Sequence, residues 1–514
     1  MSLFRQKVIN SILTDRFGPV VAKVGTFLLQ NETNPFLFIK RGTDLTVSLV
    51  KDSLCILIKY GLVTFKPNKN EKLANYSINS DNVLLMLRYP KYLHHIKKLF
   101  GDESEMIIEE ILQRGNKSPC YWTGSEVILK VNQRRPQIKS RSQPLSDIKE
   151  NLCCLITAKY LQRVPYSVED AAVPSLIMSE DCASDLNKID IKLLISHQKD
   201  KSVQLSDQNI YWTVNFDRFH QDMRDEIVVK AFTKKFGENA GSIIKQVILF
   251  LRQMYIRTNP WAEVCNPVPA LEIKDILKKQ ASQSLALAFF DQYLSTMEQD
   301  NSNLLRKAGE ASGGSYQLYL KEAFTQFTWE LVEHIVLEKH DSKAARIFRL
   351  VKSQPYIEPD QIQQLAMIPA KEAKRLSYRL YEDKFLHIQE LKKASSNNGP
   401  VKNYTLFHIH LESVASMLLE MCYKTLYNHI SRRHFEKQQS KRIIDKKHRV
   451  DTILMGMQAQ GAAEEQLSDI EELLTPSEEE VLKKIDRVMK KLNIVELEVD
   501  DTIFMLNMYL IYVS

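Results

Sequence analysis

Glycine and proline are scarce in this chain, with 15 and 17 among 514 residues. The phosphate-cradling patterns G-x-x-x-x-G-K-[ST] and G-x-G-x-x-G are missing, as are G-x-S-x-G and H-E-x-x-H, which mark hydrolase and zinc-protease sites. These absences argue against an enzyme built on any of those sites. We therefore predict a non-catalytic protein with no cofactor.

Cysteine is also sparse, and long apolar runs are lacking. The seven cysteines are scattered and never spaced C-x-x-C, which indicates reduced thiols and no zinc ribbon. Cys55 and Cys153 lie among apolar residues, and we predict that both are core residues. No run approaches the roughly 18 apolar residues of a membrane span, and the N-terminal stretch lacks a signal-peptide core. We expect a chain of the cytosol or nucleus that makes no membrane contact.

Charge of one sign does not dominate either. The chain has 70 Lys and Arg against 63 Asp and Glu, and the resulting formal charge of +7 is slight for this length. Any contact with nucleic acid must therefore come from local patches. With 44% apolar residues over 514 positions, several folded domains are expected.

What the chain does contain is one recurring unit. In "SLVKDSLCILIKYGLVTFKPNKNEKLANYSIN" a helix ends near Lys59, Gly61 permits a left-handed exit, and two short strands flank a turn. The same order recurs around "ENLCCLITAKYLQRVP" with "NIYWTV", around "RKAGEASGGSYQLYL", and around "FLHIQEL" with "YTLFHIH". The sequence predicts a mainly α protein with small β wings, made of four tandem extended winged-helix domains and a C-terminal helical hairpin or coiled coil.

The domain boundaries follow from these units. We predict winged helices at residues 1–84, 85–215, 216–338 and 339–411, and a C-terminal coiled coil at 412–514. The second winged helix is expected to carry disordered insertions near 131–146 and 165–208, where Pro, Ser and charge mix without a sustained period.

The C-terminal region has its own signals. Thr475, Pro476 and Glu478 form a capping box with proline at the first helical position, so we predict a helical hairpin with arms Leu411–Leu474 and Pro476 to about Val513. Apolar residues repeat at heptad spacing at Ile485, Leu492, Val499, Leu506 and Val513, although "NIVELEVDD" could interrupt the helix. A basic run, Ser431–Arg449, precedes the acidic "EEQLSDIEELLTPSEEE". The two arms could neutralise each other, or the basic run could be a docking surface.

The candidate binding residues lie in "LAMIPAKEAKRLSYRLYEDKFLHIQEL". At 100° per residue, Lys374, Arg375 and Arg379 fall within about 80° of Lys371, while Ala373, Leu376, Ser377 and Leu380 lie opposite. The wing of the first unit is also basic, with Lys66, Lys69 and Lys72. Such side chains can bind phosphates, or they can meet an acidic partner or water. Asn and Gln are absent from this helix face, which argues against sequence-specific reading of bases.

Other candidates are better explained as structural residues. The helix Thr46–Lys59 of the first unit presents Ser48, Lys51, Asp52 and Ser53 and is too poorly basic for a DNA groove, so we expect it to bind protein. His408 and His410 share a strand face but lack a third metal ligand. Asp217, His220 and Asp225 are expected on the outer face of an amphipathic helix, with Phe216, Phe219, Met223 and Ile227 packing inward.

Long blocks of the sequence resemble a known family. "DNVLLMLRYPKYL", "IYWTVNFDRFHQDMRDE", "KAARIFRLV", "LAMIPAKEAKRLSYRLYEDKF" and "VDDTIFMLNMYL" are similar to the third-subunit family of DNA-directed RNA polymerase III, winged-helix proteins related to the alpha chain of TFIIE. The matches run in order over nearly the whole chain.

The resemblance implies a non-catalytic subunit that joins two other polymerase III-specific subunits in a heterotrimer on the clamp of the largest subunit. That heterotrimer would support promoter opening and contact the TFIIIB-bound promoter, for synthesis of transfer RNA, 5S ribosomal RNA and other small RNAs in the nucleus. Single-strand DNA binding and a role in sensing cytosolic DNA are also implied. A rival hypothesis is a free-standing winged-helix transcription regulator, which would bind a specific DNA sequence alone.

Overall fold

A computed structural model describes residues 2–68, 73–113, 122–134, 144–168, 173, 175–177, 189–199, 205–207, 209–254, 259, 261–280, 288–300, 304–309, 313–393, 402–459 and 473–513. The helices α1 to α21 are, in chain order, Leu3–Phe17, Pro19–Gln30, Phe36–Thr43, Val47–Lys59, Ser80–Leu85, Tyr89–Phe100, Asp102–Gln113, Gly124–Arg134, Pro144–Thr157, Ile191–Lys199, Phe216–Phe236, Glu238–Met254, Ala270–Gln280, Phe290–Glu298, Leu320–Lys339, Ser342–Ser353, Pro359–Ala366, Ala370–Glu382, Leu411–Gln439, Lys441–Ala459 and Pro476–Val513.

The strands are short and antiparallel. In chain order, β1 to β13 are Asn34–Pro35, Val63–Pro67, Ala74–Ile78, Trp122–Thr123, Leu161–Arg163, Tyr166–Val168, Ser175–Ile177, Tyr211–Val214, Val268–Pro269, Leu305–Gly309, Ser315–Leu318, His387–Lys393 and Lys402–His408. A 3-10 helix covers Met86–Arg88. Among the described helices, none is long and apolar enough to cross a membrane.

Four sheets repeat one strand order. Strand β3 lies between β1 and β2, β8 between β4 and β5, and β11 between β9 and β10. In the last unit β13 pairs with β12 and makes an isolated bridge from Phe407 to Ile357, which takes the place of the first strand. The chain is therefore mainly α with small β wings, in four tandem winged helices followed by a helical hairpin, as the sequence predicts.

The predicted insertions of the second unit contain regular structure. Helix α8 continues through Arg134 and α9 begins at Pro144, so both ends of the first proposed insertion are helical. Within the second, β6 pairs with β7, and α10 buries Leu194. Asp207 is buried as well and accepts a hydrogen bond from the Ser125 amide at 2.8 Å. Prediction of disorder across these ranges was wrong at those positions, because a few buried residues anchor segments whose composition is otherwise polar. The remaining residues of both ranges lie outside the described part of the chain.

Helix α11 contains a charge network that the amphipathic pattern did not predict. Arg224 is fully buried and donates to Asp225 at 2.8 Å and to the Tyr512 hydroxyl at 3.3 Å, and its guanidinium lies 5.4 Å from the Trp261 ring centroid. Arg252 donates to the other carboxylate oxygen of Asp225 at 3.0 Å. Burial raises the pKa of Tyr512. Buried charges persist only when they are paired, so this network fixes the segment around Tyr512.

The three residues of α11 that resemble catalytic groups, Asp217, His220 and Asp225, differ in their exposure to solvent. Asp217 is exposed, as expected for an outer face. His220 is half-buried, with Nε2 2.9 Å from the Tyr92 hydroxyl, and Asp225 is 3% exposed. The outer-face prediction was wrong for Asp225, because residues of α12 and α21 cover that side of α11. Phe219 packs inward as predicted, whereas Phe216, Met223 and Ile227 are only half-buried.

The C-terminal region is a helical hairpin. Its first arm consists of α19 and α20, which meet at Ser440; residues 460–472 of the predicted arm lie outside the described residues. Helix α21 runs unbroken for 38 residues, so "NIVELEVDD" does not interrupt it. The capping box is present, since the Glu478 amide donates to Thr475 Oγ1 at 3.4 Å and the Thr475 amide to Glu478 Oε2 at 3.1 Å.

Packing divides the chain into two compact units. One comprises residues 1–222 and 424–497, and the other comprises residues 223–423 and 498–514. This division groups winged helices together rather than separating each one. The boundaries predicted at 84, 215, 338 and 411 remain predictions.

Candidate nucleic-acid interface

Helix α18 is held by sharp turns at both ends. Met367 adopts a left-handed conformation, with φ of 53°, at the end of α17, and Pro369 occupies the N-cap of α18. At the other end Lys384 is left-handed, with φ of 63°. The amide of Phe385 then donates to the Leu380 carbonyl at 2.9 Å, and Phe385 is fully buried. This exit fixes the helix and leads directly into the wing, β12 and β13.

The two faces of α18 are those the sequence predicts. Ala373, Leu376, Ser377 and Leu380 are all buried. Lys371, Lys374, Arg375 and Arg379 are all exposed. The helical period alone therefore placed the basic side chains outward.

The four cations of this face have no charged partner in the part of the chain that the structure describes. Within the described residues, none of them forms an ion pair or a side-chain hydrogen bond. Two nearby acids are already paired, Glu372 with Lys343 at 2.7 Å and Asp383 with Lys339 at 3.1 Å, whereas exposed Glu382 forms no ion pair with a described residue. The basic face is thus available to an external anion without the loss of an internal ion pair.

Tyrosines lie among these cations. Tyr378 is 42% exposed and Tyr381 is 45% exposed, although one edge of the Tyr378 ring contacts Phe407 of the wing at a centroid distance of 5.8 Å. On a helix, Tyr378 falls between Lys374 and Arg375 in angle. Basic side chains interleaved with aromatic rings are the combination used to bind single-stranded nucleic acid.

The basic wing of the first unit is described only in part. Lys66 is exposed on β2, where it lies opposite Asn75 of β3. Lys69 and Lys72 lie outside the described residues.

The equivalent helix of the first unit, α4, has a different surface. Ser48, Lys51 and Asp52 are exposed as predicted, but Ser53 is buried and donates to the Leu49 carbonyl at 2.7 Å. Cys55 is exposed, contrary to the prediction of a core thiol, because it lies one position beyond buried Leu54 on the helix. Cys153 is half-buried, and burial raises the pKa of its thiol.

Exposed apolar residues flank α4. They are Leu37 and Phe38 on α3 and Val47 and Leu49 at the start of α4. This surface suits a protein neighbour better than a phosphate backbone.

A third histidine joins the pair on the last wing. Strand register sets His387 opposite His408, with ring centroids 5.6 Å apart, and the His410 ring lies 6.4 Å from that of His387. Burial lowers the pKa of His387 and of His408, and their histidine neighbours lower it further. No three His, Cys, Asp or Glu side chains among the described residues are arranged to hold a metal ion. Sequence spacing could not reveal His387, because pairing between strands brings it to the site.

Comparison with known proteins gives a consistent result. Family models match the chain at residues 7–68 (RNA polymerase III subunit RPC82 helix-turn-helix domain), 176–327 (RNA polymerase III subunit RPC82), 332–409 (POLR3C, C-terminal winged-helix domain) and 442–505 (DNA-directed RNA polymerase III subunit RPC3, helical hairpin domain). The DNA-directed RNA polymerase III subunits RPC3 of Bos taurus and Homo sapiens are each 31% identical over 98% of both chains. That of Danio rerio is 32% identical over 97% of both chains.

The chain belongs to the RPC3 family of DNA-directed RNA polymerase III subunits. Its curated relatives are named as subunits of DNA-directed RNA polymerase III. The resemblance seen in the sequence blocks is thereby confirmed. Helix α18 lies within the region that matches the C-terminal winged-helix domain, and most of the hairpin lies within the matching RPC3 helical hairpin domain.

Proposed function

We propose that the basic face of α18 contacts the backbone of DNA, preferentially single-stranded, inside RNA polymerase III. The observation that carries this proposal is that four exposed cations form no ion pair with any described residue, while two acids beside them, Glu372 and Asp383, are bound to other cations. The four cations are Lys371, Lys374, Arg375 and Arg379. Phosphates would take the place of the missing partners and release counterions. Lys66, and with it Lys69 and Lys72, would provide a second backbone contact.

The preference for a single strand rests on Tyr378 and Tyr381. Each exposed ring can stack with a base that is no longer paired, which typically stabilises binding by about 1–3 kcal/mol per base. In duplex DNA the bases are stacked on each other and cannot use these rings. Because α18 lacks Asn and Gln on this face, the contact would not depend on sequence.

The wider role follows from membership of the RPC3 family. We infer a non-catalytic subunit that joins two polymerase III-specific partners in a heterotrimer on the clamp of the largest subunit. There it would support promoter opening and contact the TFIIIB-bound promoter for transfer RNA, 5S ribosomal RNA and other small RNAs. We place it in the nucleus, and the single-strand contact would also suit recognition of cytosolic DNA.

Replacement of Lys371, Lys374, Arg375 and Arg379 by Ala tests the DNA contact. Affinity of the full-length chain for a fluorescent single-stranded oligonucleotide is measured against salt. We expect at least tenfold weaker binding and a log–log salt slope shallower by about 3, since each lost single-strand phosphate contact removes about 0.7. The control replaces four other exposed cations, Lys23, Lys484, Arg487 and Lys491, by Ala.

Equal losses in the variant and its control would contradict a specific role for α18. The Tyr378→Ala, Tyr381→Ala double variant should weaken binding to a single strand and leave binding to a duplex unchanged. A duplex affinity that falls equally would contradict the stacking role.

Membership of the heterotrimer requires a separate test. Tagged chain is recovered from nuclear extract and its partners are identified by mass spectrometry. We expect the polymerase III-specific subunits at stoichiometric levels. Recovery without them, together with a stable sequence-specific DNA complex, would instead support a free-standing transcription regulator.

A further inference from the structure

Several cations in the basic run of the helical hairpin, Ser431–Arg449, pair with none of the described acids. Among the described residues, two cations of the basic run pair across the hairpin, Arg433 with Glu496 and Lys446 with Glu478, each at 2.6 Å. Arg432 pairs within its own helix with Glu436. The other cations of the run are exposed and, within the described residues, form no ion pair: Lys437, Lys441, Arg442, Lys447 and Arg449. Pairing with the described acids of the other arm, one of two interpretations of the sequence, therefore accounts for only part of this charge. Residues 460–472, which hold much of the predicted acidic stretch, lie outside the described part of the chain.

Three of the four cations of α20 that form no ion pair with a described residue lie on one side of the helix, whereas the fourth, Lys447, lies on the opposite side. Measured at 100° per residue, Lys441, Arg442 and Arg449 lie within an arc of about 100°. Val450 is buried and Ile443 and Leu454 are half-buried, and these three lie on the opposite side. The acid within the arc is Asp445. One face of α20 thus packs inward while the other carries an excess of guanidinium and ammonium groups.

Apolar side chains extend the same face. Met455 is 71% exposed and Ile453 is 47% exposed. Ile453 follows Arg449 by one helical turn, and in angle Met455 falls about 40° beyond Lys441. Methionine and arginine are enriched at protein interfaces, whereas a phosphate backbone offers nothing to an exposed Met or Ile. This combination favours a protein segment over a nucleic acid.

We propose that the outer face of α20 is a docking surface for an acidic, amphipathic protein segment. Carboxylates of the partner pair with Lys441, Arg442 and Arg449, and its apolar residues cover Ile453 and Met455. The partner is selected by charge complementarity, and the apolar contacts determine how long it stays bound. This surface is independent of the DNA contact proposed for α18.

A defined probe tests the proposal with the full-length chain. The probe is a fluorescent synthetic peptide of Glu with Leu at every third or fourth position, compared with an all-Glu peptide and a single-stranded oligonucleotide. The charge variant is Lys441→Gln, Arg442→Gln, Arg449→Gln, and the apolar variant is Ile453→Ser, Met455→Ser. The matched control is Lys484→Gln, Arg487→Gln, Lys491→Gln, which removes three exposed, unpaired cations from the other arm.

We expect the charge variant to weaken binding of the Glu/Leu peptide at least tenfold, and the control less than twofold. The apolar variant should weaken the Glu/Leu peptide about fivefold and leave the all-Glu peptide unchanged. Three results would overturn the proposal. They are a failure of the Glu/Leu peptide to bind the unmodified chain, equal losses in the charge variant and its control, and tighter binding of the oligonucleotide with no effect of the apolar variant. The last result would assign the face to nucleic acid.

Discussion

Helices α4 and α18 occupy equivalent places in the first and last winged helices, and they align without a gap. Each has 13 residues, and their buried positions coincide: Val50 with Ala373, Ser53 with Leu376, Leu54 with Ser377, and Leu57 with Leu380. Both end in a left-handed residue, Gly61 at φ 67° and Lys384 at φ 63°. In both, the amide three residues beyond the helix end donates to the carbonyl of the last buried leucine at 2.9 Å, Leu62 to Leu57 and Phe385 to Leu380.

The outward positions of the two helices share almost nothing. Where α18 has Lys371, Arg375 and Tyr378, α4 has Ser48, Asp52 and Cys55. Only the cations Lys374 and Lys51 correspond. The comparison shows that the buried residues determine the fold of the unit. The exposed residues differ between the two helices and can therefore bind different neighbours. Four copies of one fold can therefore serve four different contacts.

The largest expected effect concerns the shared inner face. Leu57→Ala and Leu380→Ala each remove a fully buried side chain. We expect each to destabilise its own winged helix by about 2–5 kcal/mol, through lost burial and the cavity left behind. Hydrogen exchange of the amides in α4 and α18 measures this locally. If one variant had no effect, the two inner faces would not be equivalent.

A graft of outward residues tests whether the outer face alone decides the contact. The changes Ser48→Lys, Asp52→Arg, Cys55→Tyr and Ile56→Arg give α4 the outward residues of α18. We expect about threefold to tenfold tighter single-strand DNA binding, because added phosphate contacts strengthen affinity. The control graft, Ser48→Gln and Asp52→Asn, adds no cation and should leave affinity nearly unchanged. A basic graft without any gain would show that the surroundings of α18 also matter.

Substitutions at the two left-handed residues, Gly61 and Lys384, should have smaller effects on stability, and the two effects should be opposite in sign. Any residue other than glycine in this backbone conformation lowers the free energy of unfolding by about 1 kcal/mol relative to glycine. Gly61→Lys should therefore destabilise the first unit by about 1 kcal/mol, and Lys384→Gly should stabilise the last by a similar amount. Lys384→Ala keeps the strained conformation and serves as the control. Thermal unfolding of the full-length variants, with hydrogen exchange at each exit, measures the difference.

The smallest expected effect is a difference between the two wings in how their stability depends on pH. Burial lowers the pKa of His387 and His408 in the last wing, whereas strands β2 and β3 of the first wing contain no histidine. The unfolded chain then binds protons more readily than the folded wing, so stability is complete above the ordinary pKa of 6.5 and falls as pH drops below it. Hydrogen exchange at pH about 7.5 and about 5.5, either side of that value, should show faster exchange in the last wing only.

Replacement of His387 and His408 by Asn should abolish that dependence. Persistent acid sensitivity in the double variant would locate the titrating group elsewhere, for example at His340, whose pKa burial also lowers.

Much of α18 was predictable because one physical signal governs it. A helical period places Ala373, Leu376, Ser377 and Leu380 inward without any knowledge of the rest of the molecule. The same holds for the hairpin strands that follow each recognition-type helix. Membership of the RPC3 family was also predictable, since the matching blocks run along the whole chain.

The predictions that failed have a different cause. Contacts between residues far apart in the sequence override the local sequence pattern. Strands β1, β4 and β9 have two residues each, and only pairing with a later strand defines them. Asp225 looks like a surface residue until α12 and α21 cover it. Whether the cations of α18 meet DNA is likewise decided by a neighbour outside the chain.

The buried pair of Arg224 and Tyr512 affects the order in which the chain can fold. The ribosome must add 288 residues after Arg224 before that tyrosine exists. At 5–20 residues per second, this delay is roughly 15–60 s. During this delay the Arg224 guanidinium can pair with Asp225 but cannot yet bind the Tyr512 hydroxyl. The surrounding core should therefore remain open to chaperones and proteases. We expect completion of this unit to be a late event in folding.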